Sequence, residues 1–373
     1  MSADTLRIVS FRWEPYVLPF AQPFATAGGR LEERRGFLVR LQDDRGAWSV
    51  GEAAPLPDFG GETLSACEAQ LRRWEEELPG CAMELEPRPA LPAPAFGLLP
   101  APITSPTAVH ALESALLDLA SQRAGLTLAR WLHPAAPLQV AVNATLGATE
   151  SSAAAAAARD AVALGFRTLK LKVGVGGAAA DEARLRAVRE AVGSGVRLRI
   201  DANGAWSREE ALALLKRWAP LGLEYAEQPV SPADPEALAW LVMRSPVPIA
   251  ADESIRAPAD AERLLRQRAA SLLVLKPMLL GGPLTTLRIA RASLAARVPV
   301  VVTTVLEGIY GRLAALHVAA AVAALHAESG LEAPPPACGL ATGALLVRDH
   351  VPQPPVPLGG VWYVPSGPGL GLA

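Results

Sequence analysis

Five short apolar stretches of this chain end in charged residues of the kinds that move protons and hold metal ions. T-L-K-L-K (168–172), R-I-D-A-N (199–203), Y-A-E-Q-P (225–229), A-A-D-E-S (250–254) and L-K-P (275–277) present Lys170 and Lys172, then Asp201, Glu227 and Asp252, then Lys276. From Lys172 onward the steps are 24 to 29 residues. Three carboxylates gathered in one place raise each other's pKa unless a positive charge sits among them. A divalent cation supplies that charge. Oxygen donors without His or Cys select a hard ion, Mg²⁺, with Mn²⁺ as a substitute. The lysines stand out because the chain has 35 basic residues and only four are Lys, the fourth being Lys216 on a helical surface beside Arg217. An amine can be neutralised by its surroundings and can carry a proton, whereas a guanidinium stays charged. Lys170 and Lys172 are two residues apart and share one strand face. A like charge and a metal ion nearby favour the neutral amine, which makes Lys172 a base near neutral pH. Lys276 flanks the acids from the other side.

Such a set suits one chemistry. A substrate carboxylate is held on the cation, a lysine removes the α-proton, and the cation and the opposite lysine stabilise the enediolate. Other readings exist for each part. A single carboxylate at a strand end serves equally as a helix cap, and two lysines serve equally as ion-pair partners or as an exposed edge. A Schiff-base aldolase would use a barrel lysine without a metal, and a non-catalytic barrel would use neither. Three acids on consecutive strands, flanked by lysines, favour the metal-assisted reading.

The positioning elements follow from the pattern around these residues. Apolar runs at 138–145, 167–173, 197–203, 223–229, 247–254, 271–277 and 298–304 alternate with helical segments at intervals of about 25 residues. Continuous apolar strands alternating with helices predict a parallel sheet covered on both faces, and this many equal units predict closure into a barrel. All the strand-end charges then surround one mouth. A-C-G-L-A-T-G (337–343) is the candidate eighth strand. The first 130 residues read differently, as strands, a turn at 43–46, helices at 63–78 and 106–125 with Ser105 or Thr107 as N-cap, and a Pro-rich linker at 86–102. Phe20, Thr26 and Phe59 are expected in loops of this domain that close over the mouth. His110 and His317 lie in helical patterns and read as core or surface, Trp206 reads as packing, and V-G-V-G-G (173–177) reads as a βα loop rather than a phosphate cradle.

The totals narrow the partners. The chain has 373 residues, a net charge of −2 and no Lys/Arg run, which argues against nucleic-acid or membrane-surface binding. No apolar stretch is read as reaching the roughly 18–20 residues of a membrane span, and the N-terminus lacks a basic start followed by an apolar run. Three widely spaced cysteines suit a reducing cytoplasm. The expected partner is a small-molecule carboxylate, with no nucleic acid and no membrane, and a homo-oligomer is compatible with the sequence.

Taken together, the five motifs, L-K-P-M-L-L-G-G (275–282) and G-E-A-A-P-L-P (51–57) resemble the muconate-lactonising branch of the enolase superfamily. The resemblance implies an α/β protein, a modified (β/α)₇β TIM-type barrel at 131–344 with an N-terminal α+β capping domain at 1–130 that residues from about 345 to 373 complete. It implies Asp201, Glu227 and Asp252 as Mg²⁺ ligands, Lys172 as principal acid/base, Lys170 as its partner, Lys276 as the opposite-face group, and Asn203 and Glu253 as supports behind them. Within the branch, T-T-V-L-E-G (303–308) is similar to the Ser-Ser-x-x-Glu-Ser of o-succinylbenzoate synthases, with Gly308 replacing the last Ser. Thr303, Thr304, Glu307 and Gly308 are therefore candidate substrate contacts, and the helix beginning near 309 is expected to receive a succinyl carboxylate at its N-terminus. Dipeptide epimerases of the branch carry Asp-x-Asp at the eighth strand; A-C-G-L-A-T-G has no acid. The resemblance thus implies Mg²⁺-dependent dehydration to o-succinylbenzoate in menaquinone biosynthesis. N-succinylamino acid racemisation, or another epimerase or cycloisomerase activity of the branch, is the alternative.

Overall fold

The structure, a computed structural model, describes residues 4–26, 29–85, 102–147 and 150–372. A four-stranded antiparallel sheet comes first. Its order is β3 (Trp48–Ala53), β2 (Gly29–Asp43), β1 (Asp4–Thr26), β4 (Ala82–Leu85). β4 pairs only with Asp4–Arg7, so Pro15 and Pro19 of β1 lie beyond its reach, where a missing N–H costs no bond to β4 and the Pro19 carbonyl instead accepts from Val347 N (2.9 Å). Helices α1 (Leu64–Glu77) and α2 (Pro106–Arg123) cover one face. Thr63 caps α1 and Ser105 caps α2, each accepting a backbone N–H three residues on. Leu6, Phe11, Val39, Leu71, Trp74 and Leu112 are among the residues of this domain's core.

The barrel follows α3 (Leu128–Leu132) and β5 (Gln139–Ala141). Seven parallel strands stand in sequence order: β6 (Ala144–Leu146), β7 (Thr168–Lys172), β8 (Arg197–Asp201), β9 (Leu223–Glu227), β10 (Ile249–Ala251), β11 (Leu272–Leu275) and β12 (Val300–Val302). Helices α4 (Ser151–Ala163) to α9 (Pro283–Ala295) connect them, and α10 (Ile309–Glu328) follows β12. Closure is brief. Cys338 bridges Val142 just before β6, and Gly339 bridges Thr303 just after β12. The interior Arg199 supports this seam by donating to the Ala337 carbonyl (2.7 Å) and to Asn143 Oδ1 (3.3 Å).

Two expectations need correction. The run at 138–145 is two elements: β5 leaves the barrel to pair antiparallel with β13 (Val361–Tyr363), and only β6 is a barrel strand. The C-terminal tail touches both the capping domain and β5. Leu346 bridges Phe20, Val347 N donates to the Pro19 carbonyl (2.9 Å) and Leu370 N to Asp118 Oδ1 on α2 (2.7 Å), while Val361–Tyr363 joins β5. Finally, α10 is long and apolar enough to cross a membrane by length and composition, contrary to the reading of its sequence. Its hydropathy belongs to a core helix, for 89% of the apolar window is buried inside the protein.

His110 on α2 and His317 on α10 are fully buried. His110 Nδ1 donates to the Glu52 carbonyl, and His317 Nδ1 accepts from Ala129 N. Burial lowers each pKa to about 4 from the ordinary 6.5, so the folded protein disfavours the protonated ring. Stability from these rings is complete above about pH 6.5 and is lost as pH falls through 4, by up to about 3 kcal/mol per ring. Urea unfolding across this window is expected to show the fall, and His317→Gln is expected to flatten it. An unchanged slope in that variant would refute the assignment.

Candidate active site

Strand β7 answers to the spacing of its residues. Leu169 and Leu171 are buried against the surrounding helices, and alternation turns Lys170 and Lys172 to the barrel interior. Parallel register sets Lys172 beside Asp201 and Asp201 beside Glu227, at one level of three neighbouring strands. Lys170 Nζ lies 2.6 Å from Glu227 Oε1 and 2.8 Å from Asp201 Oδ2. Lys172 Nζ lies 2.7 Å from Asp201 Oδ2 and donates to Asn203 Oδ1 at 2.8 Å. On the far side of the acids, Lys276 Nζ donates to Asp252 Oδ1.

Supporting groups hold these side chains. Asn203 takes a left-handed backbone (φ 45°), which Asn tolerates better than most residues. Its amide N–H reaches Asp201 Oδ1 (3.0 Å) and its Nδ2 reaches Glu253 Oε1 (2.7 Å). Gln228 is fully buried, also left-handed, and joins the ends of β9 and β10. Its Oε1 accepts from Asp252 N (3.0 Å) and Ser254 N (3.1 Å), while its Nε2 donates to Ser254 Oγ (2.8 Å). Gln228 and Ser254 were passed over in the sequence, although both lie inside the motifs that carry the acids.

The electrostatics are those of a dry, crowded charge cluster. Asp201 and Glu227 are 1% exposed and Asp252 is 5% exposed. Burial opposes the charge on Asp201, but Lys170 and Lys172 outweigh it and hold the carboxyl well below its usual range. Burial opposes the charge on Lys170 too, and Asp201 and Glu227 outweigh it, raising that pKa well above the ordinary value. Lys276 is raised in the same way, with Asp252 and Glu253 outweighing burial. Glu227 is pushed up, by burial first and then by repulsion from Asp201 and Asp252, against the pull of Lys170. Burial and Asp252 likewise raise Glu253.

These residues suit a divalent cation by their chemistry. The donors are carboxylate oxygens, they are buried, and an ammonium already stands between two of them as a surrogate cation. As they stand, among the described residues, no three His, Cys, Asp or Glu side chains converge closely enough to hold a metal ion. The lysine ammonium groups fill the space between the acids.

The expected substrate contacts divide. Phe59 belongs at the mouth, since its ring centroid is 5.7 Å from Lys276 Nζ. Thr303 and Thr304 follow β12, where Thr303 Oγ1 donates to the Gly339 carbonyl (2.9 Å) and Thr304 Oγ1 lies 3.0 Å from Thr342 Oγ1. Phe20 is not in a loop; it lies in β1, buried with Leu18, Leu306 and Leu346. Thr26 ends β1, and its side chain lies outside the described residues. Glu307 is buried and turned inward, accepting from Val305 N (2.5 Å), with its pKa pushed by burial to about 7. The N-terminus of α10 is not open to a substrate carboxylate. Glu52 accepts from Gly308 N (2.6 Å) and Gly311 N (2.9 Å), and Asp349 Oδ1 accepts from Ile309 N (2.8 Å).

Residues 153–373 match the family described as Enolase C-terminal domain-like. The chain belongs to the enolase superfamily. Residues 10–104 match the family described as MenC, N-terminal domain, which is the sheet-rich unit beside the superfamily barrel. Among curated superfamily relatives, the o-succinylbenzoate synthase of Thermosynechococcus vestitus (strain NIES-2133 / IAM M-273 / BP-1) is 31% identical over 82% of this chain and 87% of its own. The o-succinylbenzoate synthase of Thermobifida fusca (strain YX) is 41% identical over 60% of this chain and 65% of its own. The L-Ala-D/L-Glu epimerase of Bacillus subtilis (strain 168) is 31% identical over 84% and 85%. The structure of a substrate-liganded complex of the Bacillus subtilis L-Ala-D/L-Glu epimerase superposes with a TM-score of 0.85 at 29% identity, covering 98% of both chains. The muconate lactonizing enzyme of Pseudomonas fluorescens, complexed with muconolactone, gives 0.85 at 30%, covering 98% of this chain and 96% of that one. Members of the superfamily are enzymes, and these matches extend across both the sheet-rich unit and the barrel.

Asp201 neutralises two half-buried ammonium groups at once. In metal-free protein, Asp201→Asn is expected to cost about 1–3 kcal/mol, because it leaves Lys170 with Glu227 and Lys172 with Asn203. Adding Lys170→Met should recover part of that loss in urea unfolding with EDTA present. No recovery would argue against the shared pairing.

Proposed function

We propose that the protein is an o-succinylbenzoate synthase, which dehydrates 2-succinyl-6-hydroxy-2,4-cyclohexadiene-1-carboxylate in menaquinone biosynthesis. The carrying observation is the lining beyond the acid–base cluster. Around the closing segment the groups are the hydroxyls of Thr303, Thr304 and Thr342, and residues 337–343 contain no acid. A substrate with a free α-ammonium would want a carboxylate there. A succinyl chain wants neutral donors. The match of residues 10–104 to the MenC N-terminal domain and the o-succinylbenzoate synthase relatives support the same reading.

In this reading Asp201, Glu227 and Asp252 would hold Mg²⁺, with Mn²⁺ as substitute. When bound, the cation supplies a seat for the substrate carboxylate and draws off the negative charge that grows as the α-proton leaves. Lys172, as the neutral amine, takes the α-proton at Nζ. Asn203 and Asp201 keep that nitrogen on its line of approach. The protonated Lys172 then gives its proton to the departing hydroxyl, so that one water leaves and the ring becomes aromatic. Lys170, held by Asp201 and Glu227, is a fixed positive charge beside the base. Lys276, fixed by Asp252 and lying over Phe59, offers a second positive charge from the opposite side.

A second reading, N-succinylamino acid racemisation, rests on the placement of Lys172 and Lys276 on either side of the acids. Racemisation needs both amines to exchange protons, and dehydration needs only Lys172. Lys172→Ala is expected to lower dehydration by about 10²–10⁴-fold, while Lys276→Arg keeps measurable dehydration. EDTA should abolish turnover and Mg²⁺ restore it. Rapid α-deuterium incorporation from D₂O into N-succinylamino acids, with no dehydration of the cyclohexadiene, would replace the first reading by the second.

A further inference from the structure

The seventh-strand loop is built from outside the barrel. Glu52 stands on β3 of the capping domain, 256 residues before Gly308 in sequence, and is fully buried. Its Oε1 accepts from Tyr16 Oη (2.5 Å) and Gly308 N (2.6 Å), and its Oε2 from Gly311 N (2.9 Å). His350 Nε2 is 3.5 Å away, and that ring packs edge-on against Tyr16 and stacks with Tyr310. Burial opposes the charge on Glu52, yet these partners hold its carboxyl at about 2. A buried carboxylate on the first turn of α10 is doubly favoured, by free N–H groups and by the helix dipole.

Three glycines make room for the cluster. A Cβ on Gly308 would strike His350 Nε2, and its backbone (φ −71°) is otherwise ordinary, so the demand is for space. A Cβ on Gly311 would meet Glu307 Cγ and Met278 Cε, and one on Gly36 would lie 2.6 Å from Tyr16 Oη. Gly308, which departs from the Ser of similar sequences, thus sits where His350 needs the volume. A second tether runs parallel: the buried Arg34 donates to the Val305 carbonyl (3.2 Å) and to the carbonyls of Ala54 and Pro55. Both tethers end on the segment that carries Thr303 and Thr304.

We infer that Glu52, with His350 as its second anchor, is a positioning residue that holds the loop after the seventh strand in the arrangement that binds substrate. It touches neither substrate nor the reacting atoms. The inference rests on the proposed substrate contacts at Thr303 and Thr304. A merely structural carboxylate would change stability alone; a positioning one changes KM.

The test compares steady-state dehydration of the cyclohexadiene substrate with backbone amide exchange in residues 303–311. Glu52→Gln keeps the shape and loses the charge. It is expected to raise KM about tenfold with kcat within about twofold, and to speed exchange in 303–311 but not in 168–173. His350→Leu leaves the amide bonds of Glu52 intact and should raise KM by about threefold. It reads the same property if Glu52→Gln does not fold. Formate added to Glu52→Gly should restore a low KM by refilling the vacated carboxylate position. An unchanged KM, a fall in kcat alone, or unaltered exchange in 303–311 would overturn the inference. A wild-type enzyme inactive on this substrate would overturn the proposed function instead, and the exchange arm would still decide the role of Glu52.

Discussion

The constraint on which the rest depends is the burial of three carboxylates at one rim of the barrel. Asp201, Glu227 and Asp252 are nearly inaccessible to water, and repulsion among them must be met by positive charge. Lys170, Lys172 and Lys276 meet it. The parallel register of β7, β8 and β9 makes the pairing unavoidable, because it sets Lys172, Asp201 and Glu227 at one height. The stability of this rim and the chemistry proposed for it therefore draw on one set of charges.

The capping domain is an integral part of this arrangement. Glu113 on α2 accepts from Leu284 N at the start of α9, directly beyond the loop that follows Lys276. Its approach requires Gly282, whose Cβ would lie 2.6 Å from Glu113 Oε2, and burial pushes the carboxyl to about 8. Glu52 does the corresponding work for α10, and Ala54 N donates to Met278 Sδ. Two barrel loops are thus fastened by groups of the first hundred or so residues. A free capping domain would leave two buried helix starts without their acceptors.

The barrel and its charged ends were legible in the sequence because they obey a local rule repeated along the chain. An apolar run that ends in Lys, Asp or Glu, followed by a helix, recurs at nearly constant spacing from Lys172 to Lys276. What was missed lacks such a period. Glu52 and Gly308 meet only after both domains fold, and nothing near either residue announces the other. The open helix N-terminus expected near 309 failed for that reason: the helix was foreseen, but its occupant comes from β3. Phe20 was misplaced because the prolines and polar residues around it read as a loop, whereas β1 continues along an edge that tolerates them. Gln228 escaped notice because an uncharged side chain in a motif of acids looks like filler until its four hydrogen bonds are seen.

The barrel closes through the backbone of two residues, Cys338 and Gly339, with Arg199 reaching across from inside. Closure therefore depends on main-chain atoms and one distant guanidinium, and the residues that follow are held tightly: Leu340 is buried in the barrel core and a Cβ on Gly343 would strike the Arg312 guanidinium. Within that stretch Thr342 meets the hydroxyl of Thr304 (3.0 Å). Variation at this seam is thereby confined to Ala341 and Thr342, whose side chains are only half-buried.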